Sequence, residues 1–147
     1  MSREDMVKSV HTMYPTAQNI LEIDCREGER VLVGRRKGDN VFGVDGNMFK
    51  KIWKEKKIDL YCQPADYSQL PFGDDTFDYV LTAEKITLSD EELKDIRRVG
   101  CNNFYFKFDL FLCDTNHWID KLLEFGYSPE IATVSSQGTL VVEARKC

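Results

Sequence analysis

The sequence has little with which to bind a metal. Among its 147 residues are only two histidines, His11 and His117, and its five cysteines (Cys25, Cys62, Cys101, Cys113 and Cys147) stand far apart without a C-x-x-C pair. Zinc sites draw on clustered thiolates and imidazoles, so no metal site is predicted. Odd in number and scattered, the cysteines do not make a disulfide framework either. They are expected to be small core residues in a reducing cytoplasm. No apolar run reaches membrane-spanning length, and the polar start MSREDMVKSV does not look like a signal peptide. Repeats, low-complexity tracts and Pro/Gly/Ser linkers are absent too, which predicts one domain over residues 1–147. The net charge of −5 excludes a global attraction to nucleic acid or to an anionic membrane. The densest basic cluster, Lys50, Lys51, Lys54, Lys56 and Lys57, has the spacing of a helix's wet face rather than of a nucleic-acid contact.

What is present is an alternation of two hydrophobic periods. Met6, Val10, Met13 and Tyr14 make an apolar helical face that Pro15 closes. A strand is expected at Asn19 to Asp24, a short helix over Glu29 to Arg36, and a second strand at Val41 to Asp45. Met48, Phe49, Ile52 and Trp53 then share one helical face, and Ile58 to Cys62 has the pattern of a third strand. The fourth strand is expected at Phe77 to Thr82. Ser89 and Glu92 have capping-box spacing for a helix carrying Leu93, Ile96 and Val99. A fifth strand lies within Asn103 to Leu112, with Phe104, Phe106 and Phe108 on one face. Asp114 or Thr115 caps a last helix with Trp118, Leu122 and Phe125 aligned, which Gly126 stops. Residues 127–134 and 139–145 then have the spacing of a hairpin. Five strand–helix units predict a mostly parallel sheet with helices on both faces, and the hairpin requires one antiparallel strand.

Sheets of this kind bind ligands beyond the carboxyl ends of their strands. The first such turn reads Leu21-Glu22-Ile23-Asp24-Cys25-Arg26-Glu27-Gly28, and the second strand ends in Gly43-Val44-Asp45-Gly46-Asn47. The stretch from Ala65 to Val80 reads ADYSQLPFGDDTFDYV, and Asp95-Ile96-Arg97-Arg98-Val99 follows in the next helix.

Together these segments resemble the class I S-adenosylmethionine-dependent methyltransferases. That family carries E/D-x-G-x-G-x-G in the first turn, an acid after the second strand, D-a-x-x-L-P-F-x-D-x-x-F-D-x-V before the fourth, and E-x-x-R-V-L at a helix end. The likeness runs from about residue 19 to 146 and is densest between 41 and 99. It implies a three-layer Rossmann-like fold with a seven-stranded sheet in the order 3-2-1-4-5-7-6, strand seven alone antiparallel. It also implies S-adenosylmethionine as small-molecule cofactor. Its ligands would be Glu22, Asp24, Cys25 and Gly28 in the first turn, Asp45, Gly46 and Asn47 after the second strand, Asp66 with Tyr67, and Thr82 beyond the fourth strand. In that family the acid at Asp45 holds the ribose hydroxyls and the acid at Asp66 accepts from the adenine amino group.

The glycine loop is degenerate. Asp24 and Arg26 stand at the first two glycine positions, and only Gly28 keeps the third. An arginine near a sulfonium cation predicts weak binding of S-adenosylmethionine and relatively better binding of S-adenosylhomocysteine. No catalytic residue can be named. Asn/Asp-Pro-Pro-Tyr/Phe and Pro-Cys signatures are absent, and Glu84 is read as a water-facing acid ahead of a general base. A substrate lid is also missing, which leaves a large substrate that covers itself, a homodimer, or no substrate. Two functions follow: a small methyltransferase for an unidentified substrate, or a non-catalytic relative serving as a binding or regulatory subunit.

Overall fold

The computed structural model describes residues 19–147; the helix expected around Met6, Val10, Met13 and Tyr14 lies outside them. The described residues form seven strands: β1 (Asn19–Ile23), β2 (Asn40–Asp45), β3 (Cys62–Pro64), β4 (Phe77–Thr82), β5 (Gly100–Asp109), β6 (Tyr127–Val134) and β7 (Thr139–Lys146). Between them run the helices α1 (Glu29–Arg36), α2 (Lys50–Glu55), α3 (Asp90–Val99) and α4 (Thr115–Glu124). The sheet order is β3-β2-β1-β4-β5-β7-β6, as expected. β1 pairs in parallel with β2 and β4, as do β2 with β3 and β4 with β5, whereas β7 runs antiparallel to both β5 and β6.

Two apolar layers sandwich the sheet. On one face Leu93, Ile96 and Val99 of α3 and Trp118 and Leu122 of α4 pack on Phe104, Phe106 and Phe108, all essentially solvent-free. Phe108 stacks on Trp118 with ring centroids 4.3 Å apart. On the other face Val31 of α1 and Trp53 of α2 cover Ile20, Val41, Tyr79 and Tyr105. The α3 capping box forms as spaced: Glu92 N–H donates to Ser89 Oγ, and Ser89 N–H donates to the Glu92 carboxylate. Asp114 caps α4 by accepting the His117 N–H at 2.9 Å, and Gly126, at φ +86°, ends it.

Two expectations need correction. The third strand is not Ile58 to Cys62; only Cys62–Pro64 joins the sheet, opposite Gly43–Asp45. Ile58 N–H donates to Trp53 O, and the N–H groups of Tyr61 and Cys62 both donate to Ile58 O, each at 2.9 Å. The end of α2 thus claims this backbone as a turn, burying Ile58 and leaving Leu60 82% exposed. Met48 is likewise not on the buried face. It falls in a 3₁₀ turn, Asn47–Phe49, whose tighter winding shifts its phase and leaves it exposed.

Candidate functional site

The first turn keeps a glycine-loop path without the glycines. Asp24, Arg26 and Gly28 have φ of +64°, +51° and +83°, so all three alternate positions are left-handed. Such φ values suit glycine; aspartate tolerates them, whereas arginine does so only at a cost. The compensation lies in contacts made by the backbone. Arg26 N–H donates to Asp45 Oδ2 at 2.7 Å, and Trp53 Nε1–H donates to Arg26 O at 2.7 Å. Cys25 N–H donates to Val44 O, and Gly28 N–H donates to Cys25 O. Gly28 is also a packing glycine: a Cβ there would lie 2.5 Å from Ile58 Cδ1 and 3.1 Å from Cys62 Sγ.

Asp45, at the end of β2, is the hub. It is nearly buried, and besides Arg26 N–H it accepts the N–H of Gly46, at 2.6 Å on Oδ1. A carboxylate offers about four lone-pair positions, and these two N–H groups take one on each oxygen. Next to Asp45, a Cβ on Gly46 would meet nothing within 4 Å, and Asn47 is exposed. Asp24 lies within hydrogen-bond reach of Asp45, and its carboxyl is pushed up first by burial and then by the Asp45 charge. Arg26 points its guanidinium back, 4.0 Å from the Asp24 carboxylate and half exposed.

Tyr67 reaches this turn from the loop after β3. Its phenol is pushed well up, by burial first and then by Asp45 and Asp24, against a backbone hydrogen bond from Asp24. Asp66 stays exposed at the rim. Its carboxylate accepts from Ser68 Oγ and Ser68 N–H, which hold it below the usual range. Behind this loop, Arg98 of α3 donates to Leu70 O and Phe72 O at 2.9 and 2.7 Å, and Asp95 accepts the Leu70 N–H. The Leu70-Pro71-Phe72 segment is therefore clasped by the Asp95–Arg98 pair, two segments that stand far apart in the chain. The remaining acids of the loop are also engaged. Asp74 pairs with Arg98, Asp75 with Lys146, and Asp78 accepts the Asn19 N–H.

Three of the expected site residues turn inward. Glu22 has no exposed surface and meets Arg30 of α1 at 2.8 Å, in an ion pair that pins α1 to β1. Cys25 is also solvent-free; its thiol is pushed far up, first by a hydrogen bond with Cys62 and then by burial, which makes it an inert core group. Thr82 Oγ1 accepts the Lys107 N–H inside the sheet at 2.8 Å. Asp24, Asp45, Gly46 and Tyr67 meet at the turn, while Asn47 and Asp66 are exposed. Arg30 is a structural partner that sequence patterns did not single out, and Trp53, expected only on an apolar helical face, also donates to the turn. Arg30 had a signal, because an arginine in the first turn of α1 faces the strand that carries Glu22. No cluster of ligating side chains fit for a metal occurs among the described residues.

This is the Rossmann-like fold of the class I S-adenosylmethionine-dependent methyltransferases. A TehB-like S-adenosylmethionine-dependent methyltransferase from Corynebacterium glutamicum superposes with a TM-score of 0.79 at 19% identity, over 100% of this chain and 89% of its own. An S-adenosylmethionine-dependent methyltransferase from Methanosarcina mazei gives 0.76 at 15%, over 94% and 96%. The [4+2]-cyclase SpnF gives 0.73 at 14%, over 97% and 80%, so the fold also serves a protein named for other chemistry. No family model matches the chain, and no curated protein matches its sequence.

Proposed function

We propose that this chain binds S-adenosylmethionine and transfers its methyl group to a substrate not yet identified. The observation that carries this is the left-handed backbone at Asp24, Arg26 and Gly28, folded against the nearly buried Asp45 carboxylate at the end of β2. Asp45 would hold the two ribose hydroxyls, and the Asp66–Tyr67 segment would hold the base. Glycine-like backbone at Arg26 leaves the turn open to close approach, although the side chain itself is bulky. When bound, the cofactor supplies an electrophilic methyl group. The chain's part is to orient it and exclude water, which suffices where transfer depends on alignment. One domain spanning residues 1–147, in the cytoplasm, completes this assignment. Among the described residues no helix is long and apolar enough to cross a membrane.

Arg26 has a different electrostatic setting from the one its position alone implies. Asp24 sits beside it, Asp45 lies next to Asp24, and Glu84 is close enough for its charge to act on Asp24. These acids offset the guanidinium charge, which reduces the penalty that Arg26 sets on S-adenosylmethionine relative to S-adenosylhomocysteine. Calorimetric titration of the wild type with both tests this. Saturable binding of either supports the assignment. No heat with either ligand, in the wild type and in Arg26→Gly alike, sinks it and favours the non-catalytic subunit, the function suggested by the missing glycines.

A further inference from the structure

The two outer strands of the sheet are guarded differently. At one edge β3 is only three residues long. Its Cys62 N–H is already donated to Ile58 O, and Pro64 has no N–H to offer. A short strand and a proline are common means of keeping an edge from pairing with another chain. β6, at the other edge, has neither over its second half. Ile131-Ala132-Thr133-Val134-Ser135 contains no charge and no proline, and every one of these residues is exposed. Pro129 and the irregular pairing around Glu130 lie before this stretch.

The ladder decides which backbone groups of this stretch point outward. Ser135 N–H donates to Thr139 O at 2.8 Å, and Ser135 O accepts the Gly138 N–H, so both groups of Ser135 turn into the hairpin. Antiparallel pairs alternate between bonded and non-bonded positions. Thr133, opposite Val141, and Ile131, opposite Glu143, therefore also turn their backbone groups toward β7. Ala132 and Val134 direct theirs away from the sheet.

A strand that pairs with this edge in antiparallel must present the same spacing of groups in reverse, and a second copy of β6 does so. With Thr133 on a two-fold axis, Ala132 of each copy exchanges a pair of hydrogen bonds with Val134 of the other. The side chains suit this register. Thr133 meets its own counterpart, a favourable cross-strand pair, and on the opposite face Ala132 meets Val134. Ile131 and Val134, each 55% exposed in the single chain, gain cross-strand neighbours. The acids at Glu130 fall at opposite ends of the pair, so no like charges oppose each other. We propose that the chain forms a symmetric homodimer through β6, joining two sheets into one across the axis. Pairing over so few residues buries less than the roughly 1,200–2,000 Å² of a standard interface, so the dimer is reversible and micromolar. Thr133 and Ser135 also line a cavity of about 500 Å³ with Lys85, Lys107 and Val141, and the partner's Ile131 comes opposite Ser135 at its rim. The dimer does not depend on the methyltransferase assignment.

The test is sedimentation velocity of the full chain over a concentration series, under reducing conditions because Cys101 and Cys147 are exposed. A concentration-dependent shift from monomer to dimer is expected. Ala132→Pro removes only an outward N–H, so the β6–β7 ladder is kept, as circular dichroism would report. Each dimer loses two hydrogen bonds, and its dissociation constant should rise about tenfold or more. Thr133→Cys sets two thiols across the axis at a non-bonded pair, where the β-carbons come near enough for a disulfide. Mild oxidation should link this variant as a dimer far more completely than the wild type or Ile131→Cys, whose thiol faces Ser135 instead. A chain that stays monomeric into the hundreds of micromolar overturns the proposal. A dimer that a folded Ala132→Pro leaves unchanged also overturns it, as does a Thr133→Cys variant that links no better than Ile131→Cys. If Ala132→Pro does not fold, the wild-type sedimentation and the Thr133→Cys linking decide between the same outcomes.

Discussion

Replacing Asp45 with alanine would strike both the loop and the ligand, and the two effects can be separated. The carboxylate accepts two short backbone hydrogen bonds, from Arg26 and Gly46, at a nearly buried position. A hydrogen bond to a charged group contributes roughly 1.5–3 kcal/mol, so losing both would cost about 3–6 kcal/mol if nothing replaced them. Water can reach the exposed Arg26 and Gly46, and Asp24 would be relieved of a repulsive neighbour. A destabilisation of about 2–3 kcal/mol is therefore expected, near the lower bound. On the ligand side, losing a charged acceptor for the ribose weakens binding by about one to two decades. Asp45→Asn keeps the shape and one oxygen, and should keep about half of the loop stabilisation. Urea unfolding measures the first effect and calorimetry with S-adenosylhomocysteine the second. Trp53, whose indole donates to Arg26 O, gives a fluorescence report on the turn in both variants. If both variants stay folded and bind S-adenosylhomocysteine as the wild type does, Asp45 is not a ligand and the site lies elsewhere.

Arg26→Gly should raise the melting temperature by about 2–4 °C. Relief of roughly 1–2 kcal/mol of left-handed strain exceeds the roughly 0.5–1 kcal/mol entropic cost of glycine; an unchanged or lower value in thermal unfolding would mean the turn does not strain Arg26. Gly28→Ala should cost about 2–4 kcal/mol in urea unfolding, combining a φ of +83° with a Cβ pressed 2.5 Å from Ile58 Cδ1. Asp24→Asn tests the carboxylate pair through pH. Because the folded-state pKa of Asp24 is raised above 3.8, ionising it costs stability as pH rises through that raised value. The asparagine variant should melt higher than the wild type at neutral pH, with the gap closing as pH falls toward 3.8; a gap that persists at low pH would show that repulsion is not its source.

Most of the fold was legible in the residues because it rests on short-range patterns. The alternation of Phe104, Phe106 and Phe108, the Ser89–Glu92 box and the stop at Gly126 each depend on neighbours within a few positions, and each stands where the sequence puts it. The hairpin after Gly126 likewise required one antiparallel strand, and β7 is that strand. Resemblance supplied the strand order. The third strand was misplaced because Ile58-Asp59-Leu60-Tyr61 alternates like a strand, while the end of α2 offers its backbone nearer partners.

Residue identity alone determined that Asp24 and Arg26 replace glycines, that Asp45 ends a strand, and that an acid precedes Leu70-Pro71-Phe72. Only tertiary structure decided that those two side chains tolerate a glycine's backbone, since the bond that holds Arg26 there comes from Asp45, 19 positions away. It also decided that Glu22 faces Arg30, that Asp95 and Arg98 clasp the loop, and that Lys85, Lys107 and Ser135 share a cavity. Local patterns follow from torsional preference and hydrogen bonds between near neighbours, which a sequence displays directly. The choice of partner for a charge depends on which elements the core brings side by side, and that is settled only when the whole sheet has packed.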